Sequence, residues 1–272
     1  MNDIYATIRD SVLDRTADLS PEDLRIRGLW RVHGLFQPSP SERCFDHYFL
    51  LALTLGQGCC YSVAETDIGR EMIGKDARDI IASKSEIGVA VMDSILAGLP
   101  RTPHSVYTVT GSPLQKAKER AGIIVDEAVA LTKPRAGCRP KAVNVGVVGM
   151  VIDGLVTAGY QVAATDLDPE VVGREFSGVR VEHGDVTCER VAEADLAIVT
   201  GMTMATNTLE DIVEAAKAGG TRLVMFAETG ANLAEEYCRS AGLDTVAAET
   251  FPFYIFQGTS TIEVFRRERA DG

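Results

Sequence analysis

Residues 141–168, KAVNVGVVGMVIDGLVTAGYQVAATDLD, restrict the fold of this chain more than any other segment. An apolar run reaches Gly146-x-x-Gly149, apolar residues at helical spacing follow, and a second apolar run closes on Asp166-Leu167-Asp168. Strand, glycine turn, helix, strand and carboxylate, in that order, open a nucleotide-binding α/β sheet. A glycine turn lets a ligand approach the backbone, and the helix N-terminus behind it offers unpaired N–H groups. A carboxylate about 20 residues further on can accept both ribose hydroxyls. The middle glycine of the G-x-G-x-x-G pattern is missing, and with it the close backbone approach that a pyrophosphate requires.

The rest of the C-terminal half repeats the alternation. Strands are predicted at 142–147, 161–165, 178–182, 195–200, 222–227 and 244–248, with helical patterns between them, clearest over Leu209–Ala218 and Leu233–Ala241. This spacing implies a mostly parallel sheet with helices on both faces. Residues 249–260 are too few and too broken by proline and glycine for a crossover helix, and TIEVFR at 261–266 alternates like a strand. The last two strands are therefore expected to pair antiparallel. A terminal antiparallel hairpin resembles the sheet of S-adenosylmethionine-dependent methyltransferases, whose ligand has no phosphates.

The N-terminal part reads as a smaller α+β unit. Ile4, Ile8 and Val12 give 3–18 a helical pattern, and Ser20-Pro21-Glu22-Asp23 looks like a second helix start. Tyr48–Leu55 and Cys60–Ala64 read as strands joined at Gly56-Gln57-Gly58, followed by helices over Asp76–Ser83 and Ile87–Leu99. Ser112 and Pro113 suit the cap and first turn of a long helix to residue 132. The stretch Lys133–Lys141, with two prolines, a glycine and four cations, reads as a linker between units 1–133 and 141–272.

Bulk properties narrow the partners. A net charge of −12 argues against a surface that tracks nucleic acid. The least charged segment, Ala142–Thr165, carries Asn144, Asp153 and four glycines, which suits buried strands and a helix better than a membrane span. Acids where a secretory signal would be basic and then apolar point to the cytoplasm, where the six cysteines stay reduced. Cys44-x-x-His47 is the one pair at ligand-like spacing and nothing nearby completes it, so no metal site is expected. The expected partners are a small-molecule substrate and, at most, a second copy of the chain.

In such a sheet the site lies beyond the carboxyl ends of the strands. Gly146, Gly149 and Asp166 are the cofactor-binding candidates of the first unit, with a cap as the alternative role for Asp166 and a capping role for Asp168. Asp185, after the third strand, sits where adenine would lie or caps the next helix. Thr200-Gly-Met-Thr-Met-Ala-Thr-Asn-Thr208 offers four threonines and an asparagine without charge. Thr200 and Gly201 are read as cofactor contacts, Thr203 and Asn207 as catalytic or binding groups, and one of 206–208 as a helix cap. Glu228, beside a glycine turn, is the best candidate for a charged catalytic group. The run Phe251-Pro-Phe-Tyr-Ile-Phe256 is expected to wall a pocket or seal the interface between the two units. Cys59 or Cys60 as a nucleophile would need an adjacent base that the sequence lacks, so a buried, inert pair is expected.

Asn144-Val-Gly-Val-Val-Gly149, the threonine-rich loop, Phe226-Ala-Glu-Thr-Gly230 and Phe251–Phe256 together resemble a family of Rossmann-like proteins described as "putative heavy-metal chelation". The resemblance covers 141–267. It implies an N-terminal domain similar to the enolase N-terminal fold, a methyltransferase-like C-terminal domain and a site in the cleft between them. The function expected is transfer of a methyl or aminocarboxypropyl group from S-adenosylmethionine, the latter being a route to metallophores. The alternatives are a non-catalytic binding protein for a metal chelate or heterocycle, and an NAD-dependent oxidoreductase.

Overall fold

In the computed structural model, residues 3–37, 44–62, 65–132 and 139–268 are described. The chain begins with α1 (Ile4–Arg15), whose first turn is capped by the Asp3 carboxylate and whose Ile4, Ile8 and Val12 are buried. Strands β1 (Gly28–Phe36), β2 (Phe45–Leu53) and β3 (Gln57–Ser62) form an antiparallel meander, followed by α2 (Ala77–Ile81) and α3 (Glu86–Leu96). The helix expected from Ser20 does not extend: Ser20 and Asp23 bond each other's side chains, and the chain leaves that turn to bridge Arg25 to Asp76. Strand β1, not anticipated in the sequence, is mostly solvent-facing and carries no alternating apolar pattern.

Side-chain alternation gives the meander two distinct faces. Leu50, Ala52 and Cys60 point to α3, while Phe49, Leu51, Cys59 and Tyr61 face the C-terminal half. Gly58 brings β3 against the backbone of α3, where a Cβ would collide with Ala90 and Ser94.

After α3 come β4 (Ser105–Val109) and α4 (Pro113–Leu131), the latter with a reciprocal Ser112/Gln115 capping box. The expected linker residues 133–138 lie outside the described residues. Then follow β5 (Lys141–Val145), α5 (Gly149–Thr157), β6 (Gln161–Asp166), β7 (Glu175–Phe176), β8 (Val179–His183), α6 (Thr187–Ala192) and β9 (Leu196–Thr200). The chain ends with α7 (Met202–Ala205), α8 (Leu209–Gly219), β10 (Arg222–Ala227), α9 (Ala234–Glu236), β11 (Thr245–Glu249) and β12 (Ser260–Arg266). Helix α9 is flanked by a 3-10 turn, Ala231–Leu233, and a π turn, Tyr237–Ala241.

The nine strands of the large sheet run β4-β12-β11-β10-β9-β5-β6-β8-β7. The fold is the expected mostly parallel α/β sheet with a terminal antiparallel hairpin, β11–β12, accompanied by a small antiparallel sheet. Two details go beyond the expectation. The hairpin lies outside β11, so the six parallel strands keep the order 3-2-1-4-5-6 known from dinucleotide sheets. The hairpin therefore does not by itself separate an adenosyl ligand from a dinucleotide. Strand β4, which precedes the expected linker, pairs with β12, and α4 packs with α5 on one face of the large sheet. The opposite face is covered by α8, the 231–241 stretch and the N-terminal helices. Among the described residues no helix is long and apolar enough to cross a membrane.

Candidate functional site

The glycine turn is braced from within. Gly146 has φ of 75°, and a Cβ there would lie 2.5 Å from Thr200 Cγ2, so glycine is required both by the turn and by the approach of β9. Buried Asn144 accepts a hydrogen bond from the Val148 amide (3.0 Å) and donates to the Gly146 carbonyl (3.3 Å). Asp166 accepts from the Val147 amide (2.8 Å) and from its own second neighbour, the Asp168 amide (3.0 Å). Two amides of the turn thus already face an amide oxygen and a carboxylate, an arrangement unfavourable to a phosphate. Gly149 opens α5, whose N-cap residue, Val148, offers no side-chain cap. Gly146→Ala is expected to cost about 1–3 kcal/mol through its left-handed conformation and the Thr200 contact, read as a lowered urea midpoint at unchanged slope.

Asp166 therefore fills the capping role, with each oxygen retaining a lone pair for a ligand hydroxyl. Asp168 caps the following turn by accepting from the Glu170 amide. Next to Asp166, Leu167 is 51 % exposed and touches the position a Cβ would take on Gly184. Asp185 is not the expected cap of α6; it lies in the preceding 3-10 turn, highly exposed, with its carboxylate 3.0 Å from His183 Nδ1. An apolar platform flanked by two carboxylates thus lies at the ends of β6 and β8.

The threonine-rich loop is committed largely to itself. Thr200 accepts from the Met202 amide, and Thr203 donates to the Thr200 carbonyl (2.7 Å). Thr206 and Thr208 bond each other, and no side chain caps α8, contrary to the expectation for 206–208. Asn207 takes a left-handed φ of 60° and, with Thr203, lines a shallow recess against Ile4, Tyr5 and Lys84. Thr203 and Asn207 thus line a recess shared with α1. Gly201 does border the Glu228 loop: a Cβ on it would lie 2.8 Å from the Thr229 carbonyl oxygen.

Glu228 belongs to the densest polar array of the cleft. Arg120, from the buried face of α4, places Nη2 2.9 Å from Glu228 and Nε 3.1 Å from Glu249, at the ends of β10 and β11. The Phe226 and Tyr254 rings lie 5.3 and 5.2 Å from its guanidinium carbon. From β3, buried Tyr61 lies near Glu228, whose charge adds to burial in raising the phenol well above its usual range. One guanidinium thus faces two carboxylates. Burial pushes the Glu249 carboxyl up to about 7; Arg120 opposes this and the charge of Glu228 adds to it. Lys116, one turn before Arg120 and fully buried, donates to the carbonyls of Phe256 (2.6 Å) and Gly258 (3.0 Å), anchoring the aromatic run.

That run seals the interface between the two halves: Phe253 stacks on Tyr61 with centroids 5.3 Å apart and packs near Phe49, with Met150 and Met202 at the border. The loop after Glu228 continues the join. The Thr229 hydroxyl accepts from the Tyr61 amide (3.0 Å), and Gly230 donates to the Cys59 carbonyl (2.9 Å). Buried Asp93 of α3 accepts from the Cys59 and Asn232 amides at 2.7 and 2.6 Å. Arg120, Glu249, Tyr61 and Lys116 were not named from the sequence as site residues. The signal for two of them was there: Lys116 and Arg120 share the face of α4 that carries Ala117, Ala121 and Ile124.

The sheet order, the glycine turn and the strand-end carboxylates define a Rossmann-like α/β protein with its cleft at the carboxyl edge of the sheet. Residues 138–248 match the family model described as "DUF364: Putative heavy-metal chelation", the family that the sequence motifs resemble. A crystal structure of a protein of this family from Pyrococcus horikoshii superposes with a TM-score of 0.60 at 11 % identity, over 96 % of this chain and 100 % of that one. Another, from Desulfitobacterium hafniense DCB-2, gives 0.58 at 15 % identity over 96 % and 97 %. Both are described as of unknown function, and at these identities they establish a shared fold. No curated protein matches the chain.

The family description implies a metal, but the described residues do not fit one. Among them no three His, Cys, Asp or Glu side chains gather where they could hold a metal ion. Arg120 already occupies the cation position between Glu228 and Glu249. Cys59 and Cys60 are buried, and burial raises both thiols well above their usual range, so neither presents a thiolate.

Proposed function

We propose that the chain is a small-molecule transferase that binds an adenosyl ligand of the S-adenosylmethionine class along the carboxyl edge of the large sheet. The observation that carries this reading is the braced turn, where Val147 and Val148 donate to Asp166 and Asn144 and leave a site suited to a ribose without phosphates. Leu167 would support the adenine, and Asp166 would accept the ribose hydroxyls. Glu228 lies three strand spacings from Asp166, across β5 and β9. That is roughly 14 Å at ~4.8 Å per strand, comparable with the reach of an extended adenosyl amino acid. The ligand supplies the reactive methyl or aminocarboxypropyl carbon; the chain would hold the acceptor, orient it and exclude water. The aromatic run and the Tyr61 edge of the small sheet are suited to closing that space.

A nicotinamide dinucleotide is the second reading, favoured by the order of the six parallel strands. Thermal stabilisation by S-adenosylmethionine, S-adenosylhomocysteine and methylthioadenosine, set against NADH, separates the two. Stabilisation by NADH alone would overturn the adenosyl reading. Adenosyl binding without turnover of any amine, thiol or hydroxyl acceptor would leave a binding protein. Asp166→Asn is expected to weaken the adenosyl ligand by about 1–3 kcal/mol, read by calorimetry; an unchanged affinity would restrict Asp166 to bracing the turn.

A further inference from the structure

We propose that β1 is the interface of a reversible homodimer: two copies of the strand pair antiparallel about a two-fold axis at Val32, joining their small sheets into one of six strands. This pairing needs nothing from the nucleotide reading. β1 is the outer strand of the small sheet, and its nine residues, GLWRVHGLF, keep an unbroken register with β2 from Gly28 to Phe36. An edge of that length is normally blunted by proline, lysine, a bulge or a covering element. β1 contains neither proline nor lysine and has no break in register. Both of its faces are apolar at the surface: Trp30 is 46 %, Val32 37 % and Leu35 65 % exposed. The chain just upstream is covered, because Leu24 and Ile26 hydrogen-bond residues 74–77. The free edge therefore begins at β1 itself.

A second copy fits this edge because the strand is complementary to itself in size about Val32. Directly opposed residues of an antiparallel pair lie on the same face. On the face of Trp30, the two-fold sets Trp30 against Gly34 of the second copy, Phe36 against Gly28, and Val32 against itself, so large meets small at both ends. On the other face Leu29 meets Leu35, and Arg31 meets His33. Charge agrees with this register. Arg31 is held by Glu65 at 2.5 Å and His33 by Asp46 at 2.6 Å. Each basic side chain of the strand thus carries its own carboxylate, and the axis brings Arg31 of one copy to the His33–Asp46 end of the other. This edge therefore adds little to the repulsion between copies of a chain of net charge −12. Moving the axis one residue toward the N-terminus would oppose Arg31 to Arg31, like charge on like. Moving it one residue the other way leaves Gly28 and Leu29 outside the pairing and sets Trp30 against Phe36. A contact about 30 Å long, at ~3.4 Å per residue, belongs with the small interfaces, so the dimer is expected to be reversible rather than permanent.

The test is sedimentation equilibrium of the full chain from low to high micromolar concentration, with the emission of Trp30, the only tryptophan, followed over the same range. A monomer–dimer equilibrium with a micromolar Kd and a blue shift of the emission on association is expected. Val32→Lys, at an exposed position, should leave the melting temperature unchanged and raise the Kd by more than about tenfold. Cysteine linking reads the register in a Cys44→Ser, Cys138→Ser, Cys188→Ser background. Oxidation should join Val32→Cys to itself, since directly opposed pairs lie within disulfide reach, and should join Leu35→Cys far more slowly. A chain that stays monomeric throughout the range overturns the proposal. So does a dimer that Val32→Lys leaves intact, above all one that Val106→Lys, on the edge strand β4, dissociates instead. Faster linking through Leu35→Cys than through Val32→Cys would overturn the axis at Val32. None of these outcomes bears on adenosyl binding, which stands or falls by its own titration.

Discussion

Arg120→Met is expected to lower the melting temperature at pH 7 by roughly 10 °C. The guanidinium reaches Glu228 at 2.9 Å and Glu249 at 3.1 Å, both at buried strand ends, and methionine removes both contacts at once. Breaking a buried ion pair from one side costs about 3–5 kcal/mol because the remaining charge has no partner. In a chain of this size each kcal/mol corresponds to roughly 2–4 °C. Proton uptake by Glu249 would soften the loss, so the deficit should grow as pH rises. Arg120→Lys should fall between the two, since a single ammonium cannot reproduce the fork that serves two carboxylates. The triple change Arg120→Met with Glu228→Gln and Glu249→Gln removes the stranded charges and should recover most of the loss. If Arg120→Met melts like the parent chain in scanning calorimetry, the array is solvated and the account of its charge is wrong.

The parts of this architecture that rest on local periodicity were legible in the sequence. The parallel strands β5, β6, β9 and β10 are apolar runs between turns, and Ser112, Pro113 and Gln115 mark the start of α4 directly. Strands β1 and β4 were not legible, because their stability comes from partners far along the chain. Strand β1 alternates nothing and is held by its register with β2; β4 exposes Val106 and Tyr107 and is defined by its pairing with β12. The position of the hairpin is likewise tertiary. Antiparallel pairing followed from the short connection after β11, but nothing local says that β12 sits outside β11.

For the site, single residues were easier to read than their partners. Asp166 and Glu228 announce themselves as carboxylates at strand ends, and the aromatic run was expected at the interface it seals. That Asp166 would bind the turn amides, and that Glu228 would share Arg120 with Glu249, depends on which elements converge at the carboxyl edge. The threonine loop was harder to read: the hydroxyls of Thr200, Thr203 and Thr206 bond the main chain of a tight turn, while Asn207 lines a recess against α1.

Stability is expected to fall as pH rises from about 5 to 8, and Glu249→Gln should flatten much of that slope. Glu249 is pushed up to about 7, chiefly by burial, against an ordinary value of 4.5. A carboxyl that is harder to ionise in the folded chain contributes its full stability below the unfolded value. That contribution is lost as pH climbs through the folded value, amounting to about 3 kcal/mol. Asp93, raised to about 7 by burial against the pull of the Cys59 and Asn232 amides, acts in the same direction, so Asp93→Asn provides the second arm. Asp76 and Glu182, held low by hydrogen bonds from Arg78 and Arg190, act oppositely, but only in more acidic solution. Urea midpoints at half-unit steps from pH 5 to 8 separate these contributions. A parent-to-Glu249→Gln difference that stays constant across the window would mean that Glu249 is already ionised throughout, with Arg120 compensating both carboxylates. A difference that narrows as pH rises and levels off above about 7 locates the proton on Glu249.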